Sequence, residues 1–371
     1  MTTDQLNPHV NKLLYQRVAD FILQKINEGI YQPGELIPPE RELCKSLEVS
    51  RYTVRKAIQQ LVQAGFLYRV QGNGTFVFDK KEIYHKKSDF VGVSLPSCDT
   101  EMEMKLLNGI QRGLQDVQYK MTFMDSKDDY KTEAENIQFL KNEGVAGLII
   151  MPAEDQKDST AISDLKEEAF PFVLIDRRLQ DCETDCIMSD NIDGGYKATE
   201  YLIKLGHEKI AFIKHESNKT SSVEDRIIGY QKAMIEYGLE YNWVFSFNRI
   251  HHQDKDILQV YHFLKEHKPT AVVAVNDYIA LDIVKMCREK GILLPRELSL
   301  VSFDNLDVVK HLEVPLTSIA QQSKKIGQRA ARLLLDKIRL KEEGDYGEFQ
   351  VSQQLYYPTE LIERDSCLPL D

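Results

Sequence analysis

Residues 50–57, SRYTVRKA, place two arginines four positions apart on one expected helix. Side chains at positions i and i+4 share a helix face, so Arg51 and Arg55 project together. Tyr52 and Thr53 add hydroxyl groups beside them. A helix with such donors on its exposed face fits the major groove of DNA, where arginines bind base edges and phosphates. These charges alone leave open the alternative of a solvated cationic helix face.

A second group of polar residues follows the apolar segments that the sequence predicts to be strands. In parallel α/β sheets, ligands bind beyond the carboxyl ends of the strands. Short carboxylates and amides at that edge, together with an arginine, would make paired hydrogen bonds to the hydroxyls of a polyol. For any one of these residues a helix N-cap is the competing interpretation, since Asp and Asn favour that position. The residues are Asp176, Asp190, Asn276, Asp277 and Asp304.

The first 78 residues contain the elements that would position the cationic helix. Apolar side chains at helical spacing predict three helices, and Ser50 is the expected N-cap of the third. Two short apolar segments around Gly72-Asn73-Gly74 predict a hairpin after it. This order indicates a winged helix-turn-helix domain over residues 1–78, followed by a charged linker over residues 79–88. The helices are expected at residues 12–27, 39–47 and 50–62, and the hairpin at residues 68–78.

From residue 89 to residue 371 the pattern changes to strands that alternate with amphipathic helices. Such alternation is typical of an α/β fold with parallel sheets covered by helices. The units are too many for one six-stranded sheet, so we predict two lobes with a ligand cleft between them. Strands are expected at 90–95, 121–124, 147–151, 172–175, 186–189, 210–213, 271–275 and 298–303.

The charge of the chain is divided unevenly between these regions. The 371 residues carry a net charge of −11. Residues 1–87 hold 13 Lys and Arg against 9 Asp and Glu, whereas residues 88–371 hold 34 against 49. A basic region joined to an acidic one favours a nucleic-acid-binding domain attached to a domain of another kind.

Several classes of protein are disfavoured by composition. No apolar segment is long enough to span a bilayer, and the first residues lack the apolar core of a signal peptide, so a cytoplasmic location without membrane association is expected. The six cysteines form no CxxC pairs, and Cys182 and Cys186 have no partners for a tetrahedral zinc site. No GxxxxGK[ST] or GxGxxG sequence follows a strand, so neither a nucleotide cofactor nor an enzyme is predicted.

Residues 12–78 resemble the winged-helix domain of GntR-family bacterial regulators. The family pattern appears here as PPERELC over residues 38–44, SRYTVRKA over residues 50–57 and QGNGTFV over residues 71–77. Pro39 replaces the family's usual serine. The resemblance implies that DNA is contacted by Arg41, Arg51, Thr53, Arg55 and Gly72, and we add Tyr52 and Gln71 beside them as further candidates.

Residues 89–371 resemble the effector domain of LacI/GalR-type repressors and the periplasmic sugar-binding proteins. The similarity lies in segments such as LGHEKIAFI at 205–213, VEDRIIGY at 223–230 and AVNDYIA at 274–280. It implies that Arg226 and Asp277 bind sugar hydroxyls and that Asp176 lines the same pocket. Asn276, Asp190 and Asp304 are also candidates, although capping or hinge roles compete, and His207 is expected to be structural.

The LacI-type helix-turn-helix and hinge helix are absent, and the GntR-type domain stands in their place. This combination is similar to bacterial arabinose-utilisation repressors of the AraR type. It implies a homodimeric repressor that binds double-stranded operator DNA and is released by a monosaccharide such as L-arabinose. A sugar-transport binding protein and an activator that responds to another small ligand remain the alternatives.

Overall fold

The structure is a computed structural model that divides into two compact units, Met1–Lys87 and Ser88–Asp371. The linker predicted at residues 79–88 lies outside the described residues. None of the helices described is both long enough and apolar enough to cross a membrane. The described residues are 14–63, 66–70, 74–78, 89–115, 117, 119–153, 160–179, 182–217, 219–240, 243–247 and 257–370.

The first unit contains the three helices and the hairpin that the sequence predicts. They are α1 (Leu14–Asn27), α2 (Glu40–Ser46), α3 (Arg51–Gln63), β1 (Leu67–Val70) and β2 (Gly74–Val77), with β1 and β2 antiparallel.

Apolar residues spaced three or four apart on α1 and α3 form the core of this unit, so the opposite face of α3 stays in solvent. Ser50 caps α3, since its Oγ accepts a hydrogen bond from Thr53 N at 3.2 Å. Gly74 has φ +116°, and a Cβ there would lie 2.5 Å from Leu36 Cδ1. The hairpin therefore needs glycine at this position.

The second unit consists of two lobes, each built on a six-stranded sheet. Its helices are α4 (Glu101–Gly113), α5 (Tyr130–Asn142), α6 (Ala161–Glu167), α7 (Asn191–Lys204), α8 (Ser221–Glu236), α9 (Leu258–His267), α10 (Asp277–Lys290), α11 (Ser323–Glu343) and α12 (Tyr346–Phe349). Its strands are β3 (Phe90–Leu95), β4 (Lys120–Asp125), β5 (Leu148–Ile150), β6 (Phe172–Ile175), β7 (Cys186–Ser189), β8 (Ile210–His215), β9 (Val244–Phe247), β10 (Ala271–Ala274), β11 (Ser299–Asp304), β12 (Thr317–Ala320), β13 (Gln354–Tyr357) and β14 (Glu360–Ile362).

The strand order is β13-β7-β6-β5-β3-β4 in lobe 1 and β14-β12-β11-β10-β8-β9 in lobe 2. All described pairs are parallel except β12 with β14. Helices cover these sheets, so the central strands are buried on both faces. The chain passes between the lobes after β7, after β12 and after β13, so the lobes share three connections.

Two glycines bring α7 and α8 into backbone contact in lobe 2. A Cβ on Gly195 would lie 2.2 Å from Arg226 O, and one on Gly229 would lie 2.1 Å from Ile192 O. This close packing fixes Asn191 at the start of α7 beside Arg226 in α8. The fold thereby positions a candidate ligand-binding arginine.

Candidate DNA interface and candidate effector cleft

The exposed face of α3 carries three of the residues predicted to bind DNA. The side chains of Arg51 and Arg55 are 74% and 56% exposed, and Tyr52 is also exposed. Thr53 is half-buried and its hydroxyl lies 2.8 Å from Ser50 Oγ, so it is held at the start of the helix. Arg41 is exposed at the start of α2. Gln71 and Gly72 lie outside the described residues.

Glu40 organises the arginines of this surface. Its Oε2 lies 3.3 Å from Arg51 Nε and 3.4 Å from Arg55 Nη2, and its Oε1 lies 3.2 Å from Arg69 Nη2. Glu40 therefore limits the mutual repulsion of three guanidinium groups and restricts where they point. Sequence reasoning missed Arg69, because its position on β1 beside α2 depends on how the hairpin packs.

Arg55→Ala should weaken operator binding by about 1–3 kcal/mol if this side chain contacts a base. The measurement is fluorescence anisotropy with labelled operator duplex at about 150 mM salt. Lys56→Ala is a matched control, because it removes the same charge from the same helix at a side chain that lies 4.2 Å from the ring centroid of Tyr15. Equal losses for the two variants would indicate a general charge effect and contradict a specific role for Arg55.

In the second unit, Arg226 is the centre of a buried polar group in lobe 2. Its Nε donates to Asn191 Oδ1 at 2.9 Å and its Nη1 donates to Val275 O at 2.7 Å. The guanidinium lies 3.8 Å from the ring centroid of Phe303. Side-chain and backbone partners thus hold the planar guanidinium in one orientation. A group that donates hydrogen bonds to a ligand in a fixed geometry needs such support.

Asp304 lies beside Arg226 at the end of β11. Its Oδ1 is 3.5 Å from Arg226 Nη2 and accepts a hydrogen bond from Gln321 Nε2 at 2.6 Å. Burial raises the pKa of Asp304, and the charge of Arg226 opposes that rise. The backbone of Asp304 is left-handed, with φ +103°, a conformation that costs free energy and recurs at binding sites.

Asp176 and Asn276 occupy strand ends in different lobes. Asp176 follows β6 with φ +64° and is buried, and its charge contributes to the raised pKa of Asp304. Asn276 is half-buried and caps α10, since its Oδ1 accepts a hydrogen bond from Ile279 N at 2.9 Å. Its amide nitrogen has no hydrogen-bond partner among the described residues. Asp176, Asn276, Arg226 and Asp304 therefore stay the predicted effector-binding residues, and of these Arg226 and Asp304 lie in direct contact.

Asp190 lies where the chain crosses from lobe 1 into lobe 2. It is the N-cap of α7, and its Oδ1 accepts a hydrogen bond from Asp193 N at 2.9 Å. Its own backbone N donates to Tyr357 O, which belongs to another strand that leads to a crossover. The structure thus supports the capping interpretation for Oδ1, and a ligand contact at Asp190 stays a prediction.

The position of Asp277 does not favour the ligand-binding role that the sequence predicts for it. It is fully buried, and its Oδ1 accepts hydrogen bonds from the hydroxyls of Ser302 and Ser318 while its Oδ2 accepts from Leu306 N at 2.6 Å. These donors belong to β11, β12 and the loop after β11. Asp277 therefore ties α10 to the sheet and presents no free acceptor to a cleft.

The predicted site residues did not include three side chains that lie around Arg226. Asn191 stands next to Asp190 in the sequence and Phe303 precedes Asp304, so both lay beside recognised strand ends. Gln321 bridges the lobes, since it binds Asp304 through Nε2 and accepts from Ser189 Oγ at 2.6 Å through Oε1. No signal pointed to Gln321, because strand β12, which ends just before it, was not predicted.

The lobes are also joined at two further places. Arg178, which follows β6 in lobe 1, forms a bidentate ion pair with Asp225 of α8, with Nη2 to Oδ1 at 2.8 Å, and its backbone N donates to Ser221 Oγ at 2.8 Å. Elsewhere Glu101 of α4 accepts a hydrogen bond from Asp307 N of lobe 2 at 2.6 Å. These contacts link lobe 1 directly to lobe 2.

The chain matches two protein-family models. Residues 14–77 match the gntR family of bacterial regulatory proteins, and residues 199–367 match the periplasmic binding protein-like domain. The chain joins a GntR-type DNA-binding domain to a LacI-type effector domain. This is the domain combination of a DNA-binding transcriptional regulator.

Relatives of known function support both halves of this assignment. The arabinose metabolism transcriptional repressors of Geobacillus stearothermophilus and Halalkalibacterium halodurans are each 28% identical to the chain. The alignments span 95% of this chain and 97% and 96% of the two repressors, respectively. Both domains therefore occur in the same order in these relatives.

Solved structures match the effector domain. A LacI family transcriptional regulator from Enterococcus faecium with bound ribose is 27% identical, with a TM-score of 0.64, over 76% of this chain and 100% of that chain. The transcription regulator CcpA of Lactococcus lactis is 26% identical, with a TM-score of 0.65, over 75% of this chain and 98% of that chain.

Proposed function

We propose that this regulator is a repressor of sugar-utilisation genes that a monosaccharide releases from operator DNA, with L-arabinose as the first candidate. The observation that carries the proposal is the alignment with two arabinose repressors over both domains. The LacI-type neighbours alone would support a sugar-binding effector domain without favouring a particular sugar.

The cleft has the chemistry that a monosaccharide requires. Arg226 supplies fixed donors, Asp176 and Asp304 supply acceptors, and the amide of Asn276 supplies a further donor. Phe303 gives the guanidinium of Arg226 an apolar support at 3.8 Å. Adjacent hydroxyls of a sugar, each both donor and acceptor, match this alternation of groups.

The contacts between the lobes suggest how binding would be converted into release. A ligand that touches both lobes favours the closed form, because the open form cannot make all of its contacts. In a two-fold homodimer, closure would alter how the two DNA-binding domains reach a palindromic operator, acting through residues 79–88. Coupling of this kind is typically worth about 1–3 kcal/mol. Such a repressor would act in the cytoplasm, where its operator lies.

The proposal is tested by titrating sugars into a complex of the full-length protein with duplex DNA selected from a random library. We expect L-arabinose to lower DNA affinity about 5–150-fold, and D-ribose and D-xylose to have smaller effects. Release by another monosaccharide alone would reject arabinose and keep the repressor. DNA affinity that ignores every sugar bound by the protein would reject sugar-controlled repression.

Arg178→Ala should raise the L-arabinose concentration needed for half-release about tenfold. Loss of the bidentate pair with Asp225 leaves a buried carboxylate unpaired, which disfavours the closed form. Sugar binding must then also drive closure, so the apparent affinity for the sugar falls. Calorimetry with L-arabinose gives the same shift independently of DNA. Arg288→Ala, on the exposed surface of α10, is the matched control. An unchanged half-release concentration in Arg178→Ala would show that this pair does not bias closure.

A further inference from the structure

Glu103 has a buried carboxyl group, and one of its two oxygens lacks the hydrogen-bond partner that a buried polar atom normally has. It lies in the first turn of α4 and is only 8% exposed. Its backbone N donates to Thr100 Oγ1 at 3.4 Å, which caps the helix. Its Oε2 is buried and has no hydrogen-bond partner among the described residues. A buried carboxyl oxygen without a hydrogen-bond partner costs free energy, so we expect a bound molecule to supply the partner.

The charged groups around Glu103 place it at the cleft. The charges of Asp176, which follows β6, and Asp128, which follows β4, raise the pKa of Glu103. The charge of Arg177, next to Asp176, lowers it. The charges of Glu103 and Asp304 both raise the pKa of the Tyr278 hydroxyl on α10. Glu101, in the same turn of α4, accepts a hydrogen bond from Asp307 N of lobe 2 at 2.6 Å, so this turn lies where the lobes meet, with Glu103 near Asp176.

Arg177, whose charge acts on Glu103, is already engaged by other groups. Arg177 Nη1 donates to Asp128 Oδ1 at 2.6 Å and to Pro152 O at 2.8 Å. Burial, with the charges of Asp176 and Asp128, outweighs Arg177 and raises the pKa of Glu103 to about 7. Among these groups the carboxyls of Glu103, Asp176, Asp304 and Asp128 outnumber the cations Arg226 and Arg177, an excess that disfavours anionic ligands such as sugar phosphates.

We infer that Glu103 determines effector specificity, by accepting a hydrogen bond from a hydroxyl of an uncharged monosaccharide bound between the lobes. This inference rests on the proposed function, since it assigns a further residue to the same sugar site. Glu103 would bind the sugar from lobe 1, while Arg226, Asn276 and Asp304 bind it from lobe 2. A hydroxyl donor would then complete the unpartnered Oε2.

The inference is tested with the full-length protein, L-arabinose and a panel of other neutral monosaccharides, measured by calorimetry at pH 8. For the sugar that the wild type binds, Glu103→Ala should weaken binding about 10–100-fold, because a hydrogen bond to a charged acceptor is lost. Glu103→Gln keeps an acceptor oxygen and should lose less. Glu135→Gln, at an exposed position on α5 in the same lobe, is the control and should bind as the wild type does.

Two further readouts separate sugar binding from a purely structural role. Glu103→Gln should raise the unfolding midpoint of the sugar-free protein at pH 8, because it removes a buried, unpartnered charge. Wild-type affinity for the sugar should also rise about tenfold from pH 6 to pH 8, as Glu103 ionises and becomes a charged, stronger acceptor. This rise should be smaller in Glu103→Gln, where any contribution from Asp304 remains.

Each outcome decides between the alternatives. Wild-type affinity in both Glu103→Ala and Glu103→Gln, with the wild-type pH dependence, would overturn the role of Glu103 and leave the proposed function intact. Weaker binding accompanied by a lower unfolding midpoint in Glu103→Gln would assign the residue a structural role and also overturn the inference. A wild-type protein that binds no neutral monosaccharide would overturn both proposals.

Discussion

Asp277→Ala should lower the free energy of unfolding of the effector domain by about 3–5 kcal/mol. Each buried donor left without its acceptor costs about 1–3 kcal/mol, and Asp277 serves the hydroxyls of Ser302 and Ser318 and the backbone N of Leu306. The costs do not add fully, because the three donors share one carboxylate. The variant should therefore unfold at a lower urea concentration than the wild type.

The measurement is urea unfolding of the full-length protein, followed by circular dichroism. Asp277→Asn should lose less stability, because its amide oxygen still accepts from part of the donor set. Glu289→Ala removes an exposed carboxylate from the same helix and should change stability by less than about 0.5 kcal/mol. If Asp277→Ala kept wild-type stability and lost only its response to sugar, the residue would belong to the ligand site and the structural assignment would be wrong.

Arg226→Lys should weaken sugar binding by about 2–4 kcal/mol, which removes sugar-induced release at any practical concentration. Lysine keeps the positive charge but has one nitrogen, whereas Arg226 uses separate nitrogens for Asn191 Oδ1 at 2.9 Å and Val275 O at 2.7 Å. The loss of this fixed orientation also leaves Asp304 with a weaker partner in a buried position. Calorimetry with L-arabinose and anisotropy with operator DNA measure the two effects separately.

DNA binding without sugar should remain within about twofold of the wild type, since Arg226 lies in a different compact unit from the DNA-binding helices. The matched control is Arg288→Lys, the same exchange at an exposed site on α10. Release of Arg226→Lys at the wild-type sugar concentration would exclude Arg226 from the effector site.

The sequence was informative wherever the signal is local. Apolar spacing predicts the helices of the first unit, because a helix that buries one face repeats every 3.6 residues. The same spacing leaves Arg51 and Arg55 on the exposed face of α3, where the structure places them. Buried parallel strands appear as short apolar segments, so eight of the strands in the effector domain were predicted to within a few residues of their bounds. The rule that ligands bind at the carboxyl ends of such strands directed attention to Asp176 and Asp304.

Strands β9, β12, β13 and β14 were not predicted. They are short, and β13 and β14 are only partly buried. Strand β13 pairs with β7 and strand β14 with β12, so each depends on a partner far away in the chain. Pairing over such distances leaves no periodic signal in a four-residue segment. As a result, Gln321, which follows β12, could not be recognised as a bridge between the lobes.

Only the tertiary structure decided which member of the Asn276-Asp277 pair could face a ligand. The two residues adjoin at the start of α10, and both types suit a strand end and a helix cap equally well. The packing of α10 on β11 and β12 turns Asp277 inward to three donors and leaves Asn276 half-buried at the edge. The same holds for the three arginines around Glu40 and for the pair of Arg178 with Asp225. Residue types and local periodicity determine that charged groups are present, whereas the direction of each side chain follows from elements that meet only when the chain folds.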